Sequence, residues 1–167
     1  FSRRGKIFKG MDTLRQSVYK LNLIQKVLDG EIAIVDEKGL ENFNEALSQY
    51  RSHGHVDNPI YYLFDLLTIE EFESGVSIRA WEERQVELRK LADIDDRIRI
   101  VPQTRVKSKK HLLKMYAYAL DNGWEGGMIR RAKSTYKQDK SNDMLKVKPA
   151  FDEELPVVGH EMGPIRH

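Results

Sequence analysis

Apolar residues recur along the chain at two spacings, and each spacing predicts its own kind of element. Where they lie three or four positions apart they form one face of a helix, and this pattern covers residues 11–22, 42–50, 77 or 80 to 91, and 108–120. Shorter stretches that alternate or stay apolar predict strands, at residues 1–9, 25–35, 60–67, 98–101, 128–131, 144–148 and 155–159.

Three of these strands carry further signals. Residues 1–9 predict a strand pair around a turn at Gly5, and the turn signal Asp29-Gly30 predicts a hairpin or a bulge in the next strand. Residues 60–67 are almost continuously apolar, which is typical of a strand buried on both faces. Only Asp65 interrupts that run.

Helices and strands follow one another without a regular strand–helix–strand repeat. That order favours an α+β fold of antiparallel sheets flanked by helices over a doubly wound parallel sheet. With 167 residues, 40% of them apolar, the chain has the length of one domain and can form a core. The third predicted helix is expected to bury Val86, Leu88 and Leu91. The fourth is expected to bury Met115, Tyr116 and Leu120.

The composition excludes several kinds of site. No cysteine occurs, so disulfides, thiolate catalysis and cysteine-bound zinc are ruled out. No apolar run reaches 18 residues, so we expect no membrane-spanning helix and no membrane partner. The lack of cysteine fits a reducing compartment, and we expect an intracellular protein of the cytoplasm or nucleus.

The net charge of +2 conceals a block pattern. Residues 1–20 and 130–148 each carry a net charge of +5, whereas residues 29–45 carry −5. Basic blocks of this kind suit a polyanionic partner such as nucleic acid, although a run of charges also serves as an ordinary solvated face.

Several short segments gain meaning when they are combined. They are Ser2-Arg3-Arg4-Gly5, Asp29-Gly30-Glu31, the run 62–67, and Glu125-Gly126-Gly127 with the Lys-x-Lys of 146–148. Taken singly, each has an ordinary explanation as a turn, a core segment or a solvated strand edge. Their order along the chain is the more informative observation.

Together, the segments supply the side chains that a nucleoside triphosphate needs. Lys146 and Lys148 alternate on a strand and therefore share a face, where two ammonium groups suit a phosphate. Glu31 and Glu125 are carboxylates able to hold Mg²⁺ or to accept from ribose hydroxyls. Phe64 offers an aromatic face for a purine. The combination indicates a nucleotide site with a divalent metal.

From Ser2 to Pro149 this order of motifs resembles the ATP-dependent DNA ligases of the covalent nucleotidyltransferase superfamily. The resemblance implies an adenylation domain at residues 1–150 that uses ATP, Mg²⁺ or Mn²⁺ and nicked duplex DNA. The implied reaction has three steps: a lysine takes AMP from ATP, the AMP passes to the 5′-phosphate of the nick, and the 3′-hydroxyl displaces it.

The resemblance also implies a role for each site residue. Arg3 contacts the phosphate of the nucleotide or the nick. Glu31 holds the ribose and contributes to the metal site, and Phe64 stacks on adenine. Glu125 binds the metal. The two lysines, Lys146 and Lys148, grip the α-phosphate and neutralise it in the transition state.

The chain departs from the family at the nucleophile, which is the lysine of a Lys-x-Asp-Gly sequence. The nearest match places Lys26 one residue too far from Asp29-Gly30. A shift of one residue turns a strand side chain to the other face, so we interpret Lys26 as a false match and expect no lysyl-AMP on this chain. Arg84 occupies a position where these ligases often carry arginine, and a structural ion pair is an equal interpretation.

The residues at both ends of the chain predict a fragment of a longer protein. The chain begins at Phe1 inside an apparent strand, and residues 155–159 resemble the first strand of an OB-fold domain, assigned to 151–167. We therefore expect a partial ligase chain, or one chain of a split ligase whose remainder is a partner. The competing interpretations are an RNA ligase, an RNA-capping guanylyltransferase, and a non-catalytic nucleic-acid-binding module.

Overall fold

Five α-helices and eight strands form within residues 2, 5–36 and 40–149, the part of the chain that the computed structural model describes. The helices are α1 (Asp12–Lys20), α2 (Phe43–His53), α3 (Ile69–Ser74), α4 (Trp81–Leu88) and α5 (Lys109–Asp121). The strands are β1 (Lys26–Val35), β2 (Glu41–Asn42), β3 (Ile60–Thr68), β4 (Val76–Ser77), β5 (Ile98–Ile100), β6 (Gly127–Arg130), β7 (Tyr136–Lys137) and β8 (Met144–Val147). Arg3 and the predicted strand at 155–159 lie outside the described residues.

The main sheet has the strand order β2–β1–β3–β5, and its centre is the long antiparallel pair β1–β3. The register of that pair shifts between Asp29 and Gly30, but the extra residue is Phe64 of β3, so the bulge predicted for β1 lies in its partner strand. The prediction of antiparallel sheets needs one correction, because β5 runs parallel to β3. The chain returns to the same edge through α3, β4 and α4, and such a crossover allows a parallel pair.

The core lies on β3, as its apolar run predicted. Leu63, Leu66 and Leu67 are 0% exposed, although they alternate between the two faces of the sheet. On one side of the sheet, Leu14 of α1 and Leu88 of α4 pack into the same apolar cluster. The α+β fold is therefore organised around one doubly covered strand.

Two small antiparallel sheets complete the described fold. In the first, β4 pairs with β7, and in the second, β6 pairs with β8. The second sheet is a two-stranded ribbon in which Met128 lies opposite Lys146. It carries the lysine motif that the sequence singled out.

Some element predictions were wrong in detail. No strand forms within residues 5–9, where the chain makes only the predicted turn, with the Gly5 amide donating to the Ser2 carbonyl. Val86 is 59% exposed and Leu120 is 37% exposed, so neither faces inward. Leu88 and Leu91 are buried as predicted, and in α4 Leu88 shares the inward face with Arg84 and Gln85.

None of the helices in the described part of the chain combines the length and the apolar character that a membrane crossing requires.

Candidate functional site

Glu31 and Phe64 lie on the same face of the main sheet. Glu31 is the cross-strand partner of Tyr62, and Phe64 follows Tyr62 by two residues along β3. Both side chains reach solvent, and Phe64 is 37% exposed although the residues on either side of it are buried. An exposed phenyl ring in the middle of a core strand is available to stack on a flat ligand.

A bulge in β3 lies opposite Asp29 and Gly30. Asp29 pairs with Asp65 and Gly30 pairs with Leu63, so Phe64 is the extra residue. β1 itself continues without an insertion, and Asp29 and Glu31 therefore share a face. Because the bulge shifts the alternation of β3, their partners Asp65 and Tyr62 lie on that same face.

Gly30 allows the two strands to approach closely at the bulge. A Cβ atom at this position would collide with the Tyr62 carbonyl oxygen and with the Tyr61 ring. The Tyr61 hydroxyl also donates to the Leu28 carbonyl at 2.9 Å, across the same strand pair. The glycine of the Asp-Gly-Glu segment is thus required by packing rather than by a turn.

The second half of the site is the β6–β8 ribbon with the turn that precedes it. The Lys146 Nζ lies 3.0 Å from the Glu125 Oε2, and both side chains are more than half exposed. Lys148 follows β8 and, by alternation, lies on the side of Lys146. The structure therefore brings Glu125 and Lys146 into contact and leaves both open to solvent.

Gly126 fixes that turn. Its φ of +136° lies in a region that residues with a side chain rarely adopt. An added Cβ atom would also collide with the Val147 carbonyl oxygen of β8, whereas an added Cβ at Gly127 would meet nothing within 4 Å. Gly126 lets Glu125 turn back towards the lysines.

The two halves are not joined by a direct contact between their predicted residues. In the described part of the chain, no hydrogen bond or ion pair links Glu31 or Phe64 to Glu125 or Lys146. The described residues also include no cluster of three or more metal-ligating side chains. Glu31 and Glu125 are single carboxylates, which fits Mg²⁺ because this ion takes one or two carboxylates and completes its shell with phosphate oxygens and water.

A buried ion-pair cluster, which the sequence did not reveal, links the elements beneath the site. Both carboxylate oxygens of Asp65 accept from Arg84, with the Nε–Oδ1 and Nη2–Oδ2 distances each 2.8 Å. The Arg130 Nη1 donates to the Asp65 Oδ2 at 3.1 Å. Asp65 is 1% exposed and Arg84 is 0% exposed, so the structural ion pair proposed for Arg84 is present.

Aromatic and acidic groups surround this cluster. The Arg130 guanidinium lies 5.8 Å from the centre of the Trp81 ring, and that of Arg84 lies 5.9 Å from the Tyr136 ring. Asp29 faces Asp65 across the strand pair. Burial, and then repulsion by the Asp65 carboxylate, raises the pKa of Asp29 above its ordinary value.

Lys26 belongs to a different charge network. Its Nζ lies 2.6 Å from Glu87 Oε1, and the other oxygen of Glu87 accepts from Arg79 at 2.8 Å. The Lys26 hydrogen bond is the largest of the effects that lower the pKa of Glu87. Lys26 pairs with Thr68, four residues along β3 from Phe64 and about 13 Å away at 3.3 Å per residue.

Strand alternation separates Lys26 from Glu31. β1 has no extra residue, so these two side chains, five positions apart, lie on opposite faces of the sheet. The distance of Lys26 along the strand and its bond to Glu87 separate it further from the site.

Residues 1–148 match the family model described as "ATP dependent DNA ligase domain". The sequence is 32% identical over 151 residues to the multifunctional non-homologous end joining protein LigD of Pseudomonas aeruginosa, covering 88% of this chain and 17% of that protein. It is 30% identical over 154 residues to DNA ligase 2 of Methanosarcina acetivorans, covering 82% of this chain and 26% of that ligase. The chain thus spans about a quarter or less of the length of these relatives.

Solved structures share the fold. The structure named Pmar-Lig_PreS3 superposes with a TM-score of 0.77 at 24% identity, covering 89% of this chain and 37% of that one. The Chlorella virus DNA ligase-adenylate superposes with a TM-score of 0.61 at 21% identity, covering 86% and 53% of the two chains. At this level of identity the likeness establishes the architecture.

Proposed function

Because the chain belongs to the family of ATP-dependent DNA ligase domains, we propose that it forms part of an enzyme that uses ATP to seal nicks in duplex DNA. The observation that carries the proposal is the Glu125–Lys146 contact on the β6–β8 ribbon, beside Lys148. It supports a site where a carboxylate and two ammonium groups meet a phosphate and its metal ion. The adenylation domain is proposed to end near residue 150.

The proposed reaction is phosphoryl transfer in three steps. The amine of a lysine attacks the α-phosphorus of ATP, forming a phosphorus–nitrogen bond as pyrophosphate leaves. AMP then passes to the 5′-phosphate of the nick, and the 3′-hydroxyl displaces AMP to close the strand. Such chemistry depends on positioning and on neutralising charge.

Each site residue has a proposed part in that reaction. Lys146 and Lys148 bind the α-phosphate and offset its growing negative charge. Glu125 is proposed to hold Mg²⁺ or Mn²⁺, which supplies further charge neutralisation when bound, and Arg3 is proposed to contact a phosphate.

Recognition of the nucleoside is assigned to the main sheet. Phe64, exposed on β3, is proposed to stack on adenine, and Glu31 on the same face is proposed to bind the ribose and assist the metal.

The first test measures ATP binding by titration calorimetry in the presence of Mg²⁺. We expect Lys146→Gln to raise the Kd roughly tenfold, since it removes a charged hydrogen bond to phosphate. The matched control is Lys133→Gln, an exposed lysine in the same basic block. Equal effects of the two variants would contradict the assignment of Lys146.

The nucleophile is proposed to be a lysine other than Lys26. Lys26 is bound to Glu87, and the 167 residues contain no Lys-x-Asp-Gly sequence. We therefore expect no mass increase after incubation of this chain with ATP and Mg²⁺, measured by intact-mass spectrometry. An added AMP that maps to Lys26, and disappears in Lys26→Arg, would overturn this interpretation.

DNA rather than RNA is the proposed substrate, because the family model describes a DNA ligase domain and the Methanosarcina acetivorans relative is a DNA ligase. A comparison of nicked DNA with nicked RNA in a sealing assay, using a ligase that contains these residues, tests this choice. Sealing of RNA alone would favour the RNA-directed relatives. If replacing Glu31 and Glu125 leaves function unchanged, a non-catalytic nucleic-acid-binding module is favoured.

A further inference from the structure

We propose that the cluster of Asp65, Arg84 and Arg130 is a positioning device for the nucleotide site: it holds the lysine face of the β6–β8 ribbon in a fixed relation to β3 and Phe64. The inference rests on the proposed function, because it concerns how that same site keeps its geometry. None of these three residues is assigned a contact with ATP.

One carboxylate joins three separate elements in this cluster. Asp65 comes from β3, Arg84 from α4 and Arg130 from β6. Arg84 occupies both oxygens of Asp65 in a bidentate pair, and Arg130 takes a second lone pair on Oδ2. A buried carboxylate with three charged hydrogen bonds has little freedom, since losing one partner leaves a buried charge unpaired.

Arg130 is the polar tether of the ribbon. Among the described residues, the Arg130–Asp65 bond is the one hydrogen bond that joins β6 or β8 to the main sheet. The contacts that anchor the neighbouring segment instead run from the loop after β6 to α4, where Trp81 and Glu82 amides donate to Ser134 and Ala132. The hydrogen bonding that holds the ribbon against β3 therefore runs through one side chain.

The Arg130 side chain lies on the same face of the ribbon as Lys146 and Lys148. Met128 lies opposite Lys146 and precedes Arg130 by two residues, so all three side chains share one face. Fixing Arg130 on Asp65 consequently fixes the direction in which Lys146 points. Phe64 is the residue immediately before Asp65 on β3, so the same bond sets the spacing between the purine and phosphate contacts.

A cycle of variants separates positioning from simple stabilisation. The Kd of ATP is measured with Mg²⁺ for the wild-type chain, Arg130→Met, Lys146→Gln and the double variant, with the melting temperature of each. Arg131→Met is the matched control, because it removes the same charge from the adjacent, 78% exposed side chain. If Arg130→Met does not fold, Arg130→Lys takes its place in the cycle.

We expect Arg130→Met to raise the Kd about tenfold and Arg131→Met to change it by less than about twofold. Because Arg130 acts through Lys146, the double variant should bind within about twofold of Lys146→Gln alone. Arg130→Lys, which keeps one charged bond to Asp65, should recover part of the affinity.

Two results would overturn the inference while the proposed function stands. One is an Arg130→Met effect no larger than that of Arg131→Met. The other is a double variant whose loss equals the product of the single losses, which would show that Arg130 acts independently of Lys146. If the wild-type chain itself shows no binding of ATP, the proposed function fails first and the inference fails with it.

Discussion

Gly126 and Gly127 are adjacent and chemically identical, yet the structure gives them different constraints. Gly126 has a positive φ and faces the Val147 carbonyl, whereas Gly127 opens β6 with free space around it. The first glycine therefore holds the shape of the turn that presents Glu125. The second is free to accept a methyl group as far as the described residues are concerned.

We expect Gly126→Ala to lower the free energy of unfolding by about 2 kcal/mol, from backbone strain and displacement of β8. Gly127→Ala should stay within about 0.5 kcal/mol of the wild type. Urea denaturation followed by tryptophan fluorescence measures both. A similar loss in the two variants would show that the turn is not the source of the constraint.

Asp65 illustrates which residue-level features sequence can reveal. The Glu125–Lys146 contact was predictable because both residues belong to short motifs whose chemistry is complementary. The Asp65–Arg130 bond joins positions 65 residues apart, and Arg130 looks like one more cation in a basic block. Nothing local in the sequence distinguishes a buried arginine from its exposed neighbour Arg131.

At the scale of elements, α3 is held by one carboxylate. Glu71 forms a capping box with Thr68, accepting from its amide at 2.8 Å, and also accepts from Ser77 and Arg79. The hydrogen bonds from Arg79 are the main cause that lowers the pKa of Glu71 to about 2. The stabilisation is present above the ordinary value of 4.5 and is lost as the pH falls from there through about 2.

The stability of the two neighbouring acid variants should therefore depend differently on pH. Between about pH 6 and pH 2, roughly the span of the titration, Glu71→Gln should lose less stability than Glu70→Gln, by on the order of 2 kcal/mol. Glu70 is the adjacent exposed acid in the same first turn. Asp95, whose pKa the Lys20 hydrogen bond lowers to about 2, titrates in both variants and cancels from the comparison. Parallel pH profiles from circular dichroism would contradict the assignment.

The elements themselves were predictable wherever the apolar pattern was strong. The doubly buried β3 followed from its sequence, and α5 begins after Ser108 as its capping signal indicated. The bulge expected in β1 instead falls at Phe64 of β3. In the helix predicted to run to Leu91, Leu88 and Leu91 are buried as predicted, whereas Val86 is exposed and Arg84 takes a buried place that an apolar side chain usually fills. Periodicity assumes that buried means apolar, and a buried ion pair breaks that assumption.

Across the whole molecule, charge is concentrated rather than balanced. Arg105, Lys107, Lys109, Lys110 and Lys114 are all exposed, and within the described residues none of them forms an ion pair. An unpaired basic segment is suited to the phosphates of DNA. This segment is the surface on which the proposed substrate is expected to lie.

The salt dependence of DNA binding tests that surface. Replacing Lys109 and Lys110 by Gln should make the slope of log K against log salt less steep by about 2, since each phosphate contact contributes about 0.9. The control replaces Arg89 and Lys90, two exposed cations beyond α4. Fluorescence anisotropy with nicked duplex DNA measures the slope for each variant. Equal slopes for the variant and the control would show that this segment does not contact DNA.

The bulge at Phe64 has a consequence for how the Asp-Gly-Glu segment is understood as a signature. The segment itself is regular and sends both acids to one side, and the extra residue in β3 is what brings Asp65 opposite Asp29 and Tyr62 opposite Glu31. The tripeptide is therefore meaningful only together with a partner strand that carries the extra residue. Grafted beside an unbulged strand of another protein, it would carry the letters of the motif without its geometry.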